Sequence, residues 1–192
     1  MKCWSCCRKL LLWGVFPNPT GANEAASHRH MEILEWLAKH VIYLDQRGAD
    51  RAAQNGHLDV LKWVAVEHEA YIGQSCACLV AQNGHVEVLE WLGRSGVYLD
   101  QGGADWAAEN RHLDVLEWLA MLEAERGVYP GQGGTNYAAK NGHLEVLRWM
   151  AARKVYSDQW GANEAAGNGH LEVLTWMAAL EPEQSPSRPK WC

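Results

Sequence analysis

"NGHLEVLRWM" at Asn141–Met150 returns as "NGHLEVLTWM" at Asn168–Met177. A search for further copies of the phrase finds six, with histidines at His30, His57, His85, His112, His143 and His170, spaced by 27, 28, 27, 31 and 27 residues. Six residues after each stands a tryptophan: Trp36, Trp63, Trp91, Trp118, Trp149 and Trp176. The chain holds eleven Trp and one Phe, so more than half of the tryptophans are one residue copied. An aromatic column at Phe16, Tyr43, Tyr71, Tyr98, Tyr129 and Tyr156 precedes the next histidine by 14 residues each time. All length variation therefore falls between the Trp and the next aromatic, which marks that leg as the loop. The longest such leg, after Trp118, contains "LAMLEAERG", and its helix-forming residues predict about one extra turn on the second helix of the fourth repeat.

Within a unit, "GADRAAQN" from Gly48 is short and rich in Ala, which suits a helix packed closely on a neighbour. Asn-Gly flanked by helical rather than alternating spacing reads as the tight link between two helices, not as a hairpin. "HLDVLKWVA" from His57 sets Leu58, Leu61 and Ala65 on one stripe with Val60 and Val64 beside it, a face wide enough for two neighbours. A helix pair of this size cannot bury that surface alone, so the units must stack. The expected fold is all-α, a helix-turn-helix repeat solenoid.

Ala165, Ala166, Asn168, Gly169, His170, Leu171, Glu172, Val173 and Leu174 resemble the helical half of ankyrin repeats. Two features depart from that family: "GADR", "GADW", "GTNY" or "GANE" replaces its Thr-Pro-Leu-His opening, and the period is about six residues short of ~33. The shortening falls on the projecting β-hairpin finger, cut here to stretches such as "GVYLDQGG" at Gly96–Gly103. The chain is similar to the compact ankyrin variety of giant DNA viruses and of some algae and oomycetes. In this register the start, through about residue 19, reads as an N-terminal half repeat, residues 20–180 as six repeats, and 181–192 as a flexible tail containing Pro and Ser.

Seventeen basic residues against 23 acidic ones give a net charge of −6, which argues for no nucleic-acid partner and disfavours an anionic membrane. The apolar run Leu10–Phe16 is too short for a membrane span and lacks a cleavage site, and six irregularly spaced cysteines build no disulfide framework. An intracellular, non-secreted protein of cytoplasm or nucleus is expected. Acylation of Cys3, Cys6 or Cys7 beside Lys2, Arg8 and Lys9 is the one membrane device on offer, set against a plain helix end.

The histidine column does not hold a metal, because stacked repeats lie about 8–10 Å apart whereas zinc needs its ligands ~2 Å from one ion. Its expected role is to order the link by bonding backbone. His28, His40 and His68 read as surface, "CWSCC" has no matching second cysteine pair nearby, and no phosphate loop or nucleophile motif is present. No enzyme activity, cofactor or small-molecule substrate is expected.

Variation inside the copied unit is the remaining signal. The residue before the Ala pair reads Glu24, Arg51, Leu79, Trp106, Tyr137 and Glu164; three positions on stand Ser27, Gln54, Gln82, Glu109, Lys140 and Gly167. These stripes share one helix face. The family resemblance implies that first helices line the concave, partner-gripping side, so Glu24, Arg51, Leu79, Trp106, Glu109, Tyr137, Lys140 and Glu164 are the expected contacts, with Trp106 and Tyr137 as anchors. The implied function is non-catalytic binding of a protein, as an adaptor; the alternative is a diversifying or decaying array with only a structural role. "LEVLTWMAAL" keeps the internal apolar pattern, so either Trp191 folds back over it or more of an array follows.

Overall fold

The structure, a computed structural model, describes residues 17–67, 72–122 and 128–180. Among the described residues there are twelve α-helices in six pairs, and no strand. The chain divides into two compact units, Met1–Ile72 and Gly73–Cys192. The first contains α1 (Pro19–Ser27), α2 (Met31–Ala38), α3 (Gln46–Gln54) and α4 (Leu58–Glu67). The second contains α5 (Gln74–Gln82), α6 (Val86–Arg94), α7 (Gln101–Glu109), α8 (Leu113–Met121), α9 (Gln132–Lys140), α10 (Leu144–Ala151), α11 (Gln159–Gly167) and α12 (Leu171–Ala179). The expected half repeat falls almost wholly on residues 1–16, and the flexible tail on 181–192, so both lie outside the described residues. So does most of the extra turn expected after Trp118, since α8 is followed to Met121 and residues 123–127 are not described.

First helices start two residues earlier than their alanine-rich core suggests, and an aspartate caps three of the six. Asp45 Oδ1 accepts from Arg47 N at 2.8 Å, Asp100 Oδ1 from Gly103 N at 3.0 Å, and Asp158 Oδ1 from Trp160 N at 2.8 Å. They end in the Asn-Gly-His link. In each repeat the histidine N–H closes back on a carbonyl five residues earlier, as in His57 N to Ala52 O and His143 N to Ala138 O, both 2.9 Å. The glycine between turns left-handed, at φ +70° in Gly56 and +74° in Gly142, which is the helix-ending motif that favours Gly. Each second helix then carries an acid in its first turn (Glu32, Asp59, Glu87, Asp114, Glu145, Glu172), where the helix dipole favours it.

Within each unit the first helices form the tight layer: α1 packs on α3, and α5, α7, α9 and α11 pack in succession. Their third residue explains how close they come. A Cβ on Gly48 would lie 3.1 Å from the Asn23 Cα, and one on Gly134 would lie 3.0 Å from the Asp105 Cα. Alanines Ala22, Ala26, Ala104, Ala107, Ala108, Ala138 and Ala139 beside them are fully buried. Among the second helices, Trp118 approaches the Gly93 position of the preceding repeat and, with Tyr98, Leu99, Leu119, Leu122 and Val128, lines an apolar cavity of about 20 Å³. Leu, Val and Met of the second helices complete the core, with Leu61, Leu116, Leu147 and Val146 at 0% exposure.

Candidate binding face

Within each unit, ladders of polar contacts join successive repeats and fix what the first-helix face presents. The first runs through the residue ahead of the variable position. Asn23 Nδ2 donates to Asp45 Oδ1 at 2.9 Å while Asp45 N donates to Asn23 Oδ1 at 3.0 Å, and Asn136 repeats the exchange with Asp158 at 3.0 and 2.9 Å. Where the next cap is Gly131, the residue is Asp105, whose carboxylate takes the Gly131 N–H at 2.6 Å. Burial raises the Asp105 pKa, partly offset by backbone donors from Gly131 and Gly134. Cys78, whose Sγ donates to Asp100 Oδ1 at 3.5 Å, has its thiol pushed up, chiefly by burial. Asn therefore meets an aspartate cap and Asp meets a glycine cap, a complementarity that keeps two carboxylates apart.

The second ladder explains the histidines. His57 Nε2 and Asn55 Nδ2 both reach the Ser27 carbonyl of the preceding repeat, at 2.9 and 3.1 Å. Asn141 Nδ2 reaches the Glu109 carbonyl at 3.0 Å, and the His143 ring bonds the same residue. The bond expected within one link is thus a bond between repeats. Desolvation lowers the His143 pKa, the Glu109 bond opposes it, and Arg111, His170 and His112 add to the lowering. In two repeats an arginine replaces the left-handed glycine: Arg29 at φ 59° and Arg111 at φ 64°. Each reaches an acid of the next repeat, Arg29 Nε to Asp59 at 2.9 Å and Arg111 to Glu145 at 2.7 Å. For Asp59, burial raises the pKa but the Arg29 bond and charge prevail and hold it down; Arg111 likewise lowers Glu145.

Among the eight residues singled out on the face, four are engaged with one another. Glu24 pairs with Arg51, and Lys140 with Glu164 at 3.8 Å, both between adjacent repeats. Leu79 and Glu109 are half-buried, and Trp106 and Tyr137 are 41% and 38% exposed. Tyr137 takes its ring partner from the following repeat rather than from Trp106: the Trp160 ring meets it edge-on at 5.4 Å. Lys140 Nζ lies 6.0 Å from the Tyr137 centroid. Trp160, 42% exposed, is the residue sequence reasoning missed. It stands four positions before Glu164 on the same helix face, and its signal was available as a tryptophan outside the copied column. Trp106, Tyr137 and Trp160 lie on α7, α9 and α11 of the second unit. Among the described residues no three His, Cys, Asp or Glu side chains come together to hold a metal ion, and no helix is long and apolar enough to cross a membrane.

No protein-family model matches the chain, and no curated protein matches its sequence. Solved structures similar to it include the pentatricopeptide repeat protein PPR10 in complex with an 18-nucleotide psaJ RNA element, and a cysteine-to-serine variant of that protein in complex with the same RNA. Each is 16% identical at a TM-score of 0.44, covering 88% of this chain; the chain spans 30% of theirs. The exclusion of nucleic acid read from the net charge is corrected here, since both of these helical-repeat structures hold RNA. Net charge sums over a whole surface and does not set the potential of one face. At this similarity neither structure assigns a partner, and the ankyrin resemblance in particular finds no match among them. The chain is an all-helical repeat solenoid, built of helix pairs.

Proposed function

We propose that the chain is a non-catalytic binding module whose scaffold is a compact ankyrin-type repeat, and that the first-helix face of its second unit takes a protein partner. One observation carries this reading: three large aromatic side chains, Trp106, Tyr137 and Trp160, stand exposed on consecutive first helices inside an otherwise copied unit. A scaffold needs none of them there, because the equivalent positions in the first unit hold the Glu24–Arg51 pair and Arg47. Buried by a partner, each aromatic would contribute roughly 1.5–3 kcal/mol, the scale of an interface hot spot. Glu109, between Trp106 and the Lys140–Glu164 pair in sequence, offers an acceptor for a basic or N–H group of a protein. Glu24 and Arg51 are better assigned to holding repeats in register, since each already has the other.

The test is capture from RNase-treated extract by the full chain and by the variant carrying Trp106→Ala, Tyr137→Ala and Trp160→Ala. A protein retained by the first and reduced at least tenfold on the second supports the reading; three lost anchors of this kind exceed the ~1.4 kcal/mol that one decade requires. Equal retention, or retention by the full chain that is seen in untreated extract and lost in RNase-treated extract, overturns it.

A further inference from the structure

The two outermost described repeats expose the groups that internal repeats use to hold one another. In the second unit the last alanine of the pair is fully buried in three repeats, Ala81, Ala108 and Ala139, but exposed at Ala166. Leu89, Leu116 and Leu147 are at most 1% exposed, whereas Leu174 is only half-buried and Leu171 is 73% exposed. The polar ladder is equally open. The imidazoles of His112 and His170 cover Gly84 and Gly142, while the space a Cβ would enter at Gly169 is empty. Asn163, at the position where Asn136 grips the next cap, instead accepts from Gln159 of its own helix at 2.9 Å.

The first repeat carries the matching half. His30 is exposed although His57, His112, His143 and His170 are half-buried, and Ile33 is 48% exposed where Val60, Val115, Val146 and Val173 are at most 1%. Asn18 caps α1 as Asp45 caps α3, so its N–H and side-chain oxygen stand as the groups that an Asn at the Asn163 position bonds elsewhere. One end offers a carbonyl at Gly167, a bare Gly169 and an Asn; the other offers a His, an Ile and a capped helix start.

We propose that the chain associates head to tail with a second copy of itself, repeat one of one copy stacking on repeat six of another through the contacts that join repeats inside each unit. Because the two surfaces differ, the contact is heterologous, and one association leaves both outer ends free for the next. This proposal is independent of the partner that the aromatic face takes.

The experiment is sedimentation velocity on the full chain from about 1 to about 200 µM. Mass should rise with concentration past the dimer. Ile33→Glu and Ala166→Glu, each at an exposed position and each checked for native circular dichroism, should be monomeric alone. Mixed in equal amounts they should form a dimer and nothing larger, since one intact front then meets one intact back. Leu171→Glu serves in place of Ala166→Glu if that variant misfolds. Wild type that stays monomeric throughout overturns the proposal, as does association that both substitutions leave intact. Association that begins only when residues 1–16 or residues 181–192 are deleted also overturns it, by naming that segment as the occupant of repeat one or of repeat six.

Discussion

Asn136 shows what a single side chain does in this array. It is 7% exposed, gives its amide to Asp158 and takes two donors, Asp158 N and Ser157 Oγ at 2.7 Å. Asn136→Asp removes the donor and sets a second carboxylate against the first, so urea unfolding at pH 7 should show a loss of about 2 kcal/mol. Protonating either acid relieves the repulsion, so the loss should shrink near pH 4. His143 predicts the opposite dependence. Its folded pKa lies below the ordinary 6.5, so the unfolded chain binds the proton first as pH falls. The stability tied to its neutral ring is whole above about 6.5 and lost as pH drops through the lowered folded value. NMR titration should place the ring below the ordinary 6.5, and His143→Gln, which keeps a donor for Glu109, should flatten the stability slope between pH 7.5 and 5.5. The sequence marked these histidines as register points but hid their reach, because a bond to the preceding repeat leaves no trace in spacing. The Asn and Asp column was hidden for another reason. Its partner is a cap some 22 residues on, and the pairing is visible only when both are seen to exchange bonds.

At the scale of the helix, small residues have opposite values depending on what faces them. A Cβ on Gly134 would lie 3.0 Å from the Asp105 Cα and 3.1 Å from the Pro130 Cβ, neither of which yields cheaply. Gly134→Ala should therefore cost about 1–3 kcal/mol by prising α9 from α7. At Gly167, in the last turn of α11, nothing lies within 4 Å of the added carbon. Gly167→Ala should raise the melting temperature, through helix propensity worth up to about 1 kcal/mol. Thermal melts of both variants check the pair. The helical periods and the tight first-helix layer were legible because each is copied six times, and the Asn-Gly-His link because it is copied four times. The helix starts were not, since Asp45, Asp100 and Asp158 lie in what reads as loop and act only as caps.

For the whole molecule, the division at residue 72 separates two described repeats from four. Stacked units need about three neighbours to bury their faces, so residues 73–192 expressed alone should unfold cooperatively by circular dichroism, and residues 1–72 should not. Sequence repetition marked that division only by one extra residue in the leg after Trp63, and the copied phrase resumes beyond it at His85. Of the candidate face, Trp106 and Tyr137 were legible as departures from the copied unit. Trp160 was legible too, as a tryptophan outside the copied column, but stands four residues ahead of the variable stripe; the mutual pairing of Glu24 with Arg51 needed the stack to be seen. The central claim is that a copied scaffold presents its function through the first-helix residues that do not repeat. The most direct measurement replaces Trp106, Trp160 and, as a control on a second helix, the 81%-exposed Met121 with a benzophenone amino acid, one at a time, and irradiates each full chain in extract. The account predicts one protease-sensitive, RNase-resistant adduct shared by positions 106 and 160 and absent at 121. An RNase-sensitive adduct, or equal labelling at all three positions, would contradict it.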